Sequence, residues 1–372
     1  MDRKDFLTLL GTGAIGLAGG SLLRCNTDAP DNAPAVPAET PAPERAIKHW
    51  AWMGQGNEGW TLDEWKQQLG RMRAAGISAV LFHEGIKILP DLVPAALQEG
   101  VEVHIWNVTM MEGGLEAEHR EWYVVNRKGE SAAEKPAYVP YYKFMCPSRE
   151  PVRQFLVDQI GTLAQMEGVT SIHLDYIRYP DVILPMALWP KYDLVQDKEY
   201  PEFDYCYCDV CRAAFKQQTG LDPLELDDPP ADEAWLQYRY DTITRVVNTL
   251  ADVVHGHGKQ LTAAVFPTPT IARTLVRQEW PKWNLDAVLP MVYHSFYNED
   301  VAWVGEAIRE GVEALAGRIP LYSGLFVPEL NPDELAQAAE AALTNGAHGI
   351  VLFQGRTPTD EHWAKLADVL KA

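Results

Sequence analysis

The chain has 372 residues, of which 47% are hydrophobic and 10% aromatic, enough to form the core of one large α/β domain or two ordinary ones. Its formal net charge at pH 7 is -20, which repels nucleic-acid phosphates and anionic lipid headgroups, so these partners are not expected. A neutral or weakly charged substrate is more compatible with this negative charge than an anionic one. The 12 Trp and 15 Tyr residues favour a carbohydrate, because aromatic faces stack on sugar rings.

The first 25 residues have the pattern of an export signal. Arg3 and Lys4 precede the apolar run LLGTGAIGLAGGSLL, which is too short for a secure membrane span. The order is similar to a twin-arginine signal with Lys at the second Arg position. A lipoprotein-like cleavage box ends at Cys25, but Arg24 stands where a small residue is usual, so lipidation and simple cleavage both remain open. We expect an exported protein, periplasmic or at the cell surface, whose only contact with a membrane would be a lipid anchor at Cys25.

Residues 26–45 are rich in Pro and Ala and have no apolar period, which predicts a disordered tether. From 46 to 372, strand and helix patterns alternate eight times, which predicts a single (β/α)8 TIM barrel. Two connections, 109–147 and 179–231, are longer than usual and are expected to be functional loops on the carboxyl-terminal face. The predicted strands are 46–53, 77–83, 101–108, the run ending at Asp175, 260–266, 286–294, 319–326 and 347–354.

Several helix ends are marked by capping residues. Thr61 and Glu64 have the spacing of a capping box. Ser148 is the expected cap of a helix that extends to 168 and leads into the fourth strand. Asn331, followed by Pro332, is the expected cap of the helix before strand eight.

The fourth strand delivers an acid to the end of the barrel where TIM-barrel active sites lie. The period-two pattern of SIHLD places His173 and Asp175 on one side, and His173 is expected to be a satisfied barrel histidine that orients the carboxylate. We expect Asp175 to carry chemistry, with Arg178 lowering its pKa. The alternative is that these two residues form a salt bridge tying the strand to its loop.

Other strand ends supply hydrogen-bonding and stacking groups. Together with the absence of a glycine-rich phosphate loop and of a His-x-x-x-His metal helix, they suit sugar hydroxyls and glycosidic bonds. The candidate substrate-binding residues are His83, Trp106, Asn107, Tyr176, Arg178, Tyr293, His294 and Gln354.

Five segments resemble a known group of proteins: MCPSREPVR, HLDYIRYPDV, DYCYCDVCRAAF, AAVFPTP and LPMVYHSFY. In this order they resemble the bacterial family-10 glycosylhydrolase-like proteins related to the α-amylase superfamily, over residues 46–370. The resemblance implies an exported TIM-barrel glycosidase with an acid at the end of strand four, where Asp175 stands. Amylase-like enzymes usually take the general acid from a Glu at strand five, but this chain reads AAVFPTP there, without a carboxylate.

Glycoside hydrolysis requires a second carboxyl beside the nucleophile or base. Glu84, after strand two, and Asp181, in the loop after Asp175, are the leading candidates for the general acid. Asp204 and Glu329 are the others. The alternative roles are turn capping for Asp181 and a surface loop acid for Glu84.

Four cysteines remain after Cys25. Cys146 ends the first long loop, and the second contains a C-x-C-x-x-C motif at Cys206, Cys208 and Cys211. Neighbouring loops of a barrel can meet, so the four thiols could bind a structural zinc ion or form disulfides. A zinc ion with four thiolates would be closed to substrate, so no catalytic metal and no other cofactor are expected.

Two functions therefore remain. The first is an exported glycoside hydrolase acting on a polysaccharide or oligosaccharide, with Asp175 as nucleophile or base. The second is a surface carbohydrate-binding lipoprotein whose barrel has lost catalysis, which the missing strand-five carboxylate keeps open.

Overall fold

The computed structural model describes residues 47–54 and 59–370. The predicted export signal and tether lie outside these residues. Within the described part of the chain, no helix has both the length and the apolar character that crossing a membrane requires.

Eight parallel strands form the predicted TIM barrel. Their order in the sheet is β6-β5-β4-β3-β2-β1-β8-β7, and the ring closes between β6 and β7 through the bridges Val288 to Leu321 and Met291 to Gly324. The strands are β1 (His49–Met53), β2 (Ile77–His83), β3 (Glu102–Val108), β4 (Ser171–Asp175), β5 (Gln260–Val265), β6 (Ala287–Pro290), β7 (Ser323–Phe326) and β8 (Ile350–Phe353).

Helices separate the strands and form the outer layer. They are α1 (Leu62–Ala74), α2 (Leu89–Gln98), α3 (Glu150–Ala164), α4 (Asp209–Thr219), α5 (Glu233–Gly256), α6 (Pro269–Val276), α7 (Trp303–Leu315), α8 (Pro332–Thr344) and α9 (Asp360–Leu370). The helix α4 lies in the second long loop, before the helix that completes the fourth unit.

Alternation along the strands divides the core into two parts. Along β3, Trp106 packs in the barrel interior with Trp52 and Leu81, whereas the adjacent Ile105 belongs to the cluster between strands and helices. Side chains of a strand point alternately to its two faces, so every second residue of each strand faces the barrel axis.

Two predicted helix caps are confirmed and one is wrong. Thr61 and Asn331 each form a complete capping box, with Glu64 and Glu334 respectively. The helix predicted to begin after Ser148 instead starts at Glu150, with Pro151 in its first turn, a position that suits proline's fixed φ and missing N–H. The Ser148 hydroxyl is hydrogen-bonded to Tyr238 Oη at 3.2 Å rather than to the helix end.

Strands β6, β7 and β8 are shorter than predicted because proline and glycine interrupt their ladders. Pro290 ends β6 and Pro320 precedes β7, and proline has no N–H for a ladder bond. Gly349 precedes β8 with φ +155°, and a Cβ there would lie 1.5 Å from the Lys48 carbonyl oxygen. The close backbone contact therefore requires glycine at this position.

The two long loops emerge from the neighbouring strands β3 and β4 and are joined to each other. Tyr207 N donates to Val125 O at 2.8 Å, and Asn126 forms a bridge with Tyr205. The first loop runs between β3 and α3, and the second runs between β4 and α5 with a short 3-10 helix at Met186–Tyr192.

Candidate functional site

A cleft of about 290 Å³ opens at the carboxyl ends of the strands. Its floor consists of side chains at the ends of strands, including Trp52 and Trp106, and its walls come from the two long loops. Aromatic rings dominate the lining, and the charged groups among the lining residues are Asp175, Asp181 and Arg178. An apolar, aromatic cleft with a few fixed polar groups is typical of a small-molecule or sugar site.

Asp175 lies at the base of the cleft and is only 8% exposed. Trp106 Nε1 donates to its Oδ2 at 3.0 Å, and the backbone N–H of Tyr176 donates to its Oδ1 at 2.7 Å. Two donors on separate oxygens fix the plane of the carboxyl group. Asp175 and His173 lie on one side of β4, as the period-two pattern predicts, and both contact interior tryptophans of the barrel.

The pKa of Asp175 is raised above its ordinary value, contrary to the prediction that Arg178 would lower it. Burial is the largest cause, and it outweighs the hydrogen bonds from Tyr176 and Trp106 and the weaker effect of the Arg178 charge. Burial disfavours the charged carboxylate. The alternative, a salt bridge between Asp175 and Arg178, is not observed either: among the described residues Arg178 forms its ion pair with Asp181.

Arg178 is fixed by a network on one wall of the cleft. Its Nη1 donates to Asp181 Oδ2 at 2.8 Å and to the Tyr179 carbonyl at 3.1 Å, and its Nη2 donates to Tyr142 Oη at 2.7 Å. Tyr142 in turn donates to Asp181 Oδ2. The guanidinium also lies 5.0 Å from the ring centre of Tyr176, a favourable cation–π distance. The network joins the first long loop to the second.

Two tyrosines of the cleft have backbone conformations that are uncommon for their type. Tyr176 has φ 51° and Tyr138 has φ 62°, in the left-handed region where a side chain costs about 1 kcal/mol or more. Tyr176 follows Asp175 directly, so this turn brings its ring over Arg178 while its N–H bonds the catalytic candidate. Such conformations cluster at functional sites.

His173 does not orient Asp175 directly. Trp52 Nε1 donates to its Nε2 at 3.0 Å, and its Nδ1 lies 2.9 Å from Thr262 Oγ1. The imidazole thus accepts from Trp52 and donates to Thr262, and burial keeps its pKa well below the ordinary value. The predicted satisfied barrel histidine is observed, but the side chain that it positions is Trp52 in the cleft floor.

Glu84 and Asn107 lie outside the cleft lining. Asn107 Nδ2 donates to Glu84 Oε2 at 2.6 Å, and Val108 N donates to Glu84 Oε1 at 3.2 Å. Burial raises the pKa of Glu84 against the opposing effect of these hydrogen bonds. His83 contacts the interior Trp106 edge-on at 5.2 Å, so alternation turns Glu84 toward the outer face of the sheet.

The remaining candidates fall into two groups. Tyr293 lines the cleft, whereas His83, His294 and Gln354 do not. The Gln354 amide oxygen accepts from Arg356 Nε at 2.6 Å, and His294 is half-buried with a pKa lowered by burial.

Neither of the other two acids lies in the cleft lining. Asp204 is fully buried in an ion pair with Arg239 at 2.5 Å, which indicates a structural role. Glu329 is exposed in the turn after β7.

Several cleft residues were not predicted from the sequence. Trp52 is at an interior position of β1, so the same alternation that identifies Asp175 could have found it. Tyr138, Tyr142 and Tyr192 also line the cleft. The aromatic density of the two long loops was the only sequence signal for these, and it does not specify which rings face the cleft.

The barrel is similar to solved glycoside hydrolase structures. The catalytic domain of a β-amylase from Paenibacillus polymyxa superposes with TM-score 0.63 at 11% identity, over 88% of this chain and 99% of that one. A β-galactosidase from Halorubrum lacusprofundi gives TM-score 0.62 at 14% identity, over 87% and 58%. A GH42 β-galactosidase from G. stearothermophilus gives 0.60 at 13% identity, over 88% and 56%.

This chain therefore spans little more than half the length of the two β-galactosidases. At these identities the similarity shows the fold, a TIM barrel of the kind found in glycoside hydrolases. No family model and no curated protein matches the chain.

Proposed function

We propose that this protein is a glycoside hydrolase acting on a neutral oligosaccharide or polysaccharide. The observation that carries the proposal is a buried carboxyl group, Asp175, held by two N–H donors at the base of an aromatic cleft at the carboxyl ends of the strands. The barrel's similarity to β-amylase and β-galactosidase structures supports the reaction class. The five sequence segments that resemble family-10 glycosylhydrolase-like proteins also support this proposal.

Asp175 acts in its ionised form, as nucleophile or base. Burial raises its pKa, and a more basic carboxylate is a better proton acceptor once it is ionised. The N–H groups of Trp106 and Tyr176 hold both oxygens in place, so little reorganisation is needed when substrate binds.

Asp181 is the better placed of the two leading candidates for the second carboxyl group, because it lines the cleft with Asp175 and Glu84 does not. Its Oδ2 accepts from Arg178 and Tyr142. Proton delivery from Asp181 would require that network to rearrange when substrate enters. Asp181→Asn is therefore the direct test of the general acid, with Glu84→Gln as the comparison.

The decisive experiment measures new reducing ends after incubation with a panel of glycans. On the substrate found, Asp175→Asn should lower kcat/KM by roughly a thousandfold or more, about 4 kcal/mol in the barrier. Asp252→Asn is the matched control, because Asp252 is an exposed residue of α5. Full activity in Asp175→Asn would refute the mechanism. Glycan binding with no release by the wild type would support the alternative, a carbohydrate-binding protein.

We also propose that the chain is exported and reaches the periplasm or cell surface, with or without a lipid on Cys25. The basic and apolar pattern of residues 1–25 supports this. Mass spectrometry of the native protein tests it: a diacylated Cys25 would establish an anchor, whereas an intact Met1 in the cytoplasmic fraction would exclude export.

A further inference from the structure

The four cysteines of the two long loops form one buried cluster, separate from the residues that line the cleft. Their sulfur atoms all lie within 4.8 Å of one another, and all four residues are at most 3% exposed. One loop contributes Cys146, and the other contributes Cys206, Cys208 and Cys211. Two segments about sixty residues apart in sequence therefore bring four soft ligand atoms to one point.

The spacing of the sulfurs fits a shared central ion. Cys146 Sγ lies 3.6 Å from Cys208 Sγ, 3.6 Å from Cys211 Sγ and 3.7 Å from Cys206 Sγ. Four sulfurs placed tetrahedrally at about 2.3 Å from a zinc ion are about 3.8 Å apart. A disulfide would bring Cys146 close to one partner, whereas its sulfur is nearly equidistant from the other three, as one ligand of a tetrahedral site would be.

The surroundings supply groups that suit a negatively charged thiolate centre. Val125 N donates to Cys206 Sγ at 3.4 Å, the type of outer hydrogen bond that orients metal ligands. The Arg149 guanidinium interacts electrostatically with Cys208 and Cys146. Tyr179 is 1% exposed, its hydroxyl has no hydrogen-bond partner among the described residues, and it lies within electrostatic range of Cys211, Cys146 and Cys206.

We propose that Cys146, Cys206, Cys208 and Cys211 bind one structural Zn²⁺ ion, and that this ion sets the position of the cleft wall. Binding converts four thiols to thiolates with release of four protons, which leaves a centre of net charge 2−. Four protein ligands complete the coordination of zinc, so the centre is structural and has no position for substrate.

The cluster is connected to the cleft by short stretches of chain. Cys146 lies four residues after Tyr142, and Tyr179 follows Arg178, whose guanidinium binds the Tyr179 carbonyl, Tyr142 and Asp181. The zinc ion would thus fix the segments on both sides of the Arg178 network. Loss of the ion should release this wall while leaving the barrel strands folded.

The test uses the full chain purified without chelators, and it does not depend on any glycosidase activity. Elemental analysis should find about one zinc per chain, and zinc X-ray absorption should show four sulfurs at about 2.3 Å. Cys208→Ser should lose the metal and lower Tm. Cys25→Ser changes the one cysteine outside the cluster, so this variant should retain the metal and the wild-type Tm.

A second measurement reports on the wall. Chelation of the wild type should make residues 109–147 and 179–231 sensitive to limited proteolysis before the barrel unfolds, and added Zn²⁺ should restore protection. Metal-free protein with four reduced thiols that binds added Zn²⁺ also supports the site. Two disulfides among these cysteines, or reduced thiols that bind no added Zn²⁺, would overturn the proposal. An intact zinc site with unchanged loop protection after chelation would overturn its role in the wall.

Discussion

At the scale of single residues, two opposing effects act on the ionisation of Asp175. The N–H groups of Trp106 and Tyr176 favour its ionised form, while burial disfavours that form more strongly and raises its pKa. A carboxyl group that is costly to ionise in the folded state reduces stability at neutral pH. This cost is typical of functional groups, which are tuned for chemistry rather than for stability.

The raised pKa predicts how Asp175→Asn changes stability with pH. Because the folded protein binds this proton more tightly than the unfolded chain, the group's contribution to the free energy of unfolding is greatest below the unfolded pKa. That contribution is lost as pH rises through the interval to the folded pKa. Since Asn does not titrate, the Tm of the variant minus that of wild type should become more positive as the pH rises above the ordinary carboxyl pKa of about 4.

Thermal unfolding at a series of pH values measures this difference, and Asp252→Asn controls for the change in net charge. A difference that stays constant across the series would show that burial does not perturb Asp175. The sign of the trend matters more than the difference at any one pH, because Asn also loses one of the two hydrogen bonds that the carboxylate accepts.

The left-handed backbone at Tyr176 gives a second prediction at this scale. Both Tyr176→Gly and Tyr176→Ala remove the ring, but glycine adopts φ 51° without the steric cost that alanine retains. The Gly variant should therefore be more stable than the Ala variant by about 1 kcal/mol, as measured by urea unfolding. At the exposed Tyr141, which has an ordinary φ, the Ala variant should instead be more stable than the Gly variant. If the Gly variant were the more stable one at both positions, the explanation would be contradicted.

At the scale of elements, local sequence signals determine where the helices begin. The Asn331 side chain accepts from the N–H groups of Asp333 and Glu334, both at 3.0 Å, and Glu334 accepts from Asn331 N at 2.9 Å. These bonds satisfy donors that have no partner within the helix. The Ser148 prediction was wrong because tertiary contacts with Tyr238 and Cys211 engage that hydroxyl.

Removing the cap of α8 should have a measurable cost. Asn331→Ala should lower the free energy of unfolding by about 1 kcal/mol, because two helix N–H groups lose their acceptor. Asn331→Asp keeps the acceptor and is the matched control, expected to remain close to wild type in urea unfolding. Equal losses in both variants would mean that the side chain contributes through packing rather than through capping.

At the scale of the whole molecule, the barrel is not uniformly paired. Each neighbouring pair of strands from β1 to β4 forms a parallel ladder of five paired residues, with one register shift at His49 in β1. By contrast, β6 and β7 are joined by isolated bridges beside Pro290 and Pro320. Proline removes ladder donors on both sides of this junction. The β6–β7 junction is therefore the weakest part of the ring among the described strands.

Hydrogen exchange should reveal this difference. Amides of β6 and β7 should exchange faster than those of β2 and β3, because local opening requires the loss of fewer backbone hydrogen bonds at the junction. Exchange followed by mass spectrometry of peptides covering 286–292 and 77–83 measures it directly. Slower exchange at the junction than at the ladders would show that helix packing, rather than strand pairing, limits local opening.

Eight strand and helix units were predictable from the sequence, because hydrophobic periodicity, capping and proline placement act within a few residues. The period-two rule also placed Asp175 on the same side of its strand as His173, and that side faces the barrel interior. The same rule applied from His83 would have turned Glu84 outward. The partner of Arg178 was not predictable in this way. Asp175 and Asp181 were both near in sequence, and the choice between them depended on Tyr142, which is 36 residues away.

The cysteine spacing indicated a shared cluster, but only the tertiary structure showed that all four sulfurs lie within 4.8 Å of one another, with Cys146 nearly equidistant from the other three. The cleft walls were likewise decided by how the two long loops fold against each other. Local patterns determine the direction of a side chain along its own strand, because strand geometry repeats every two residues. Contacts between irregular segments have no such period, so the site's walls and its charge pairing were determined only in three dimensions.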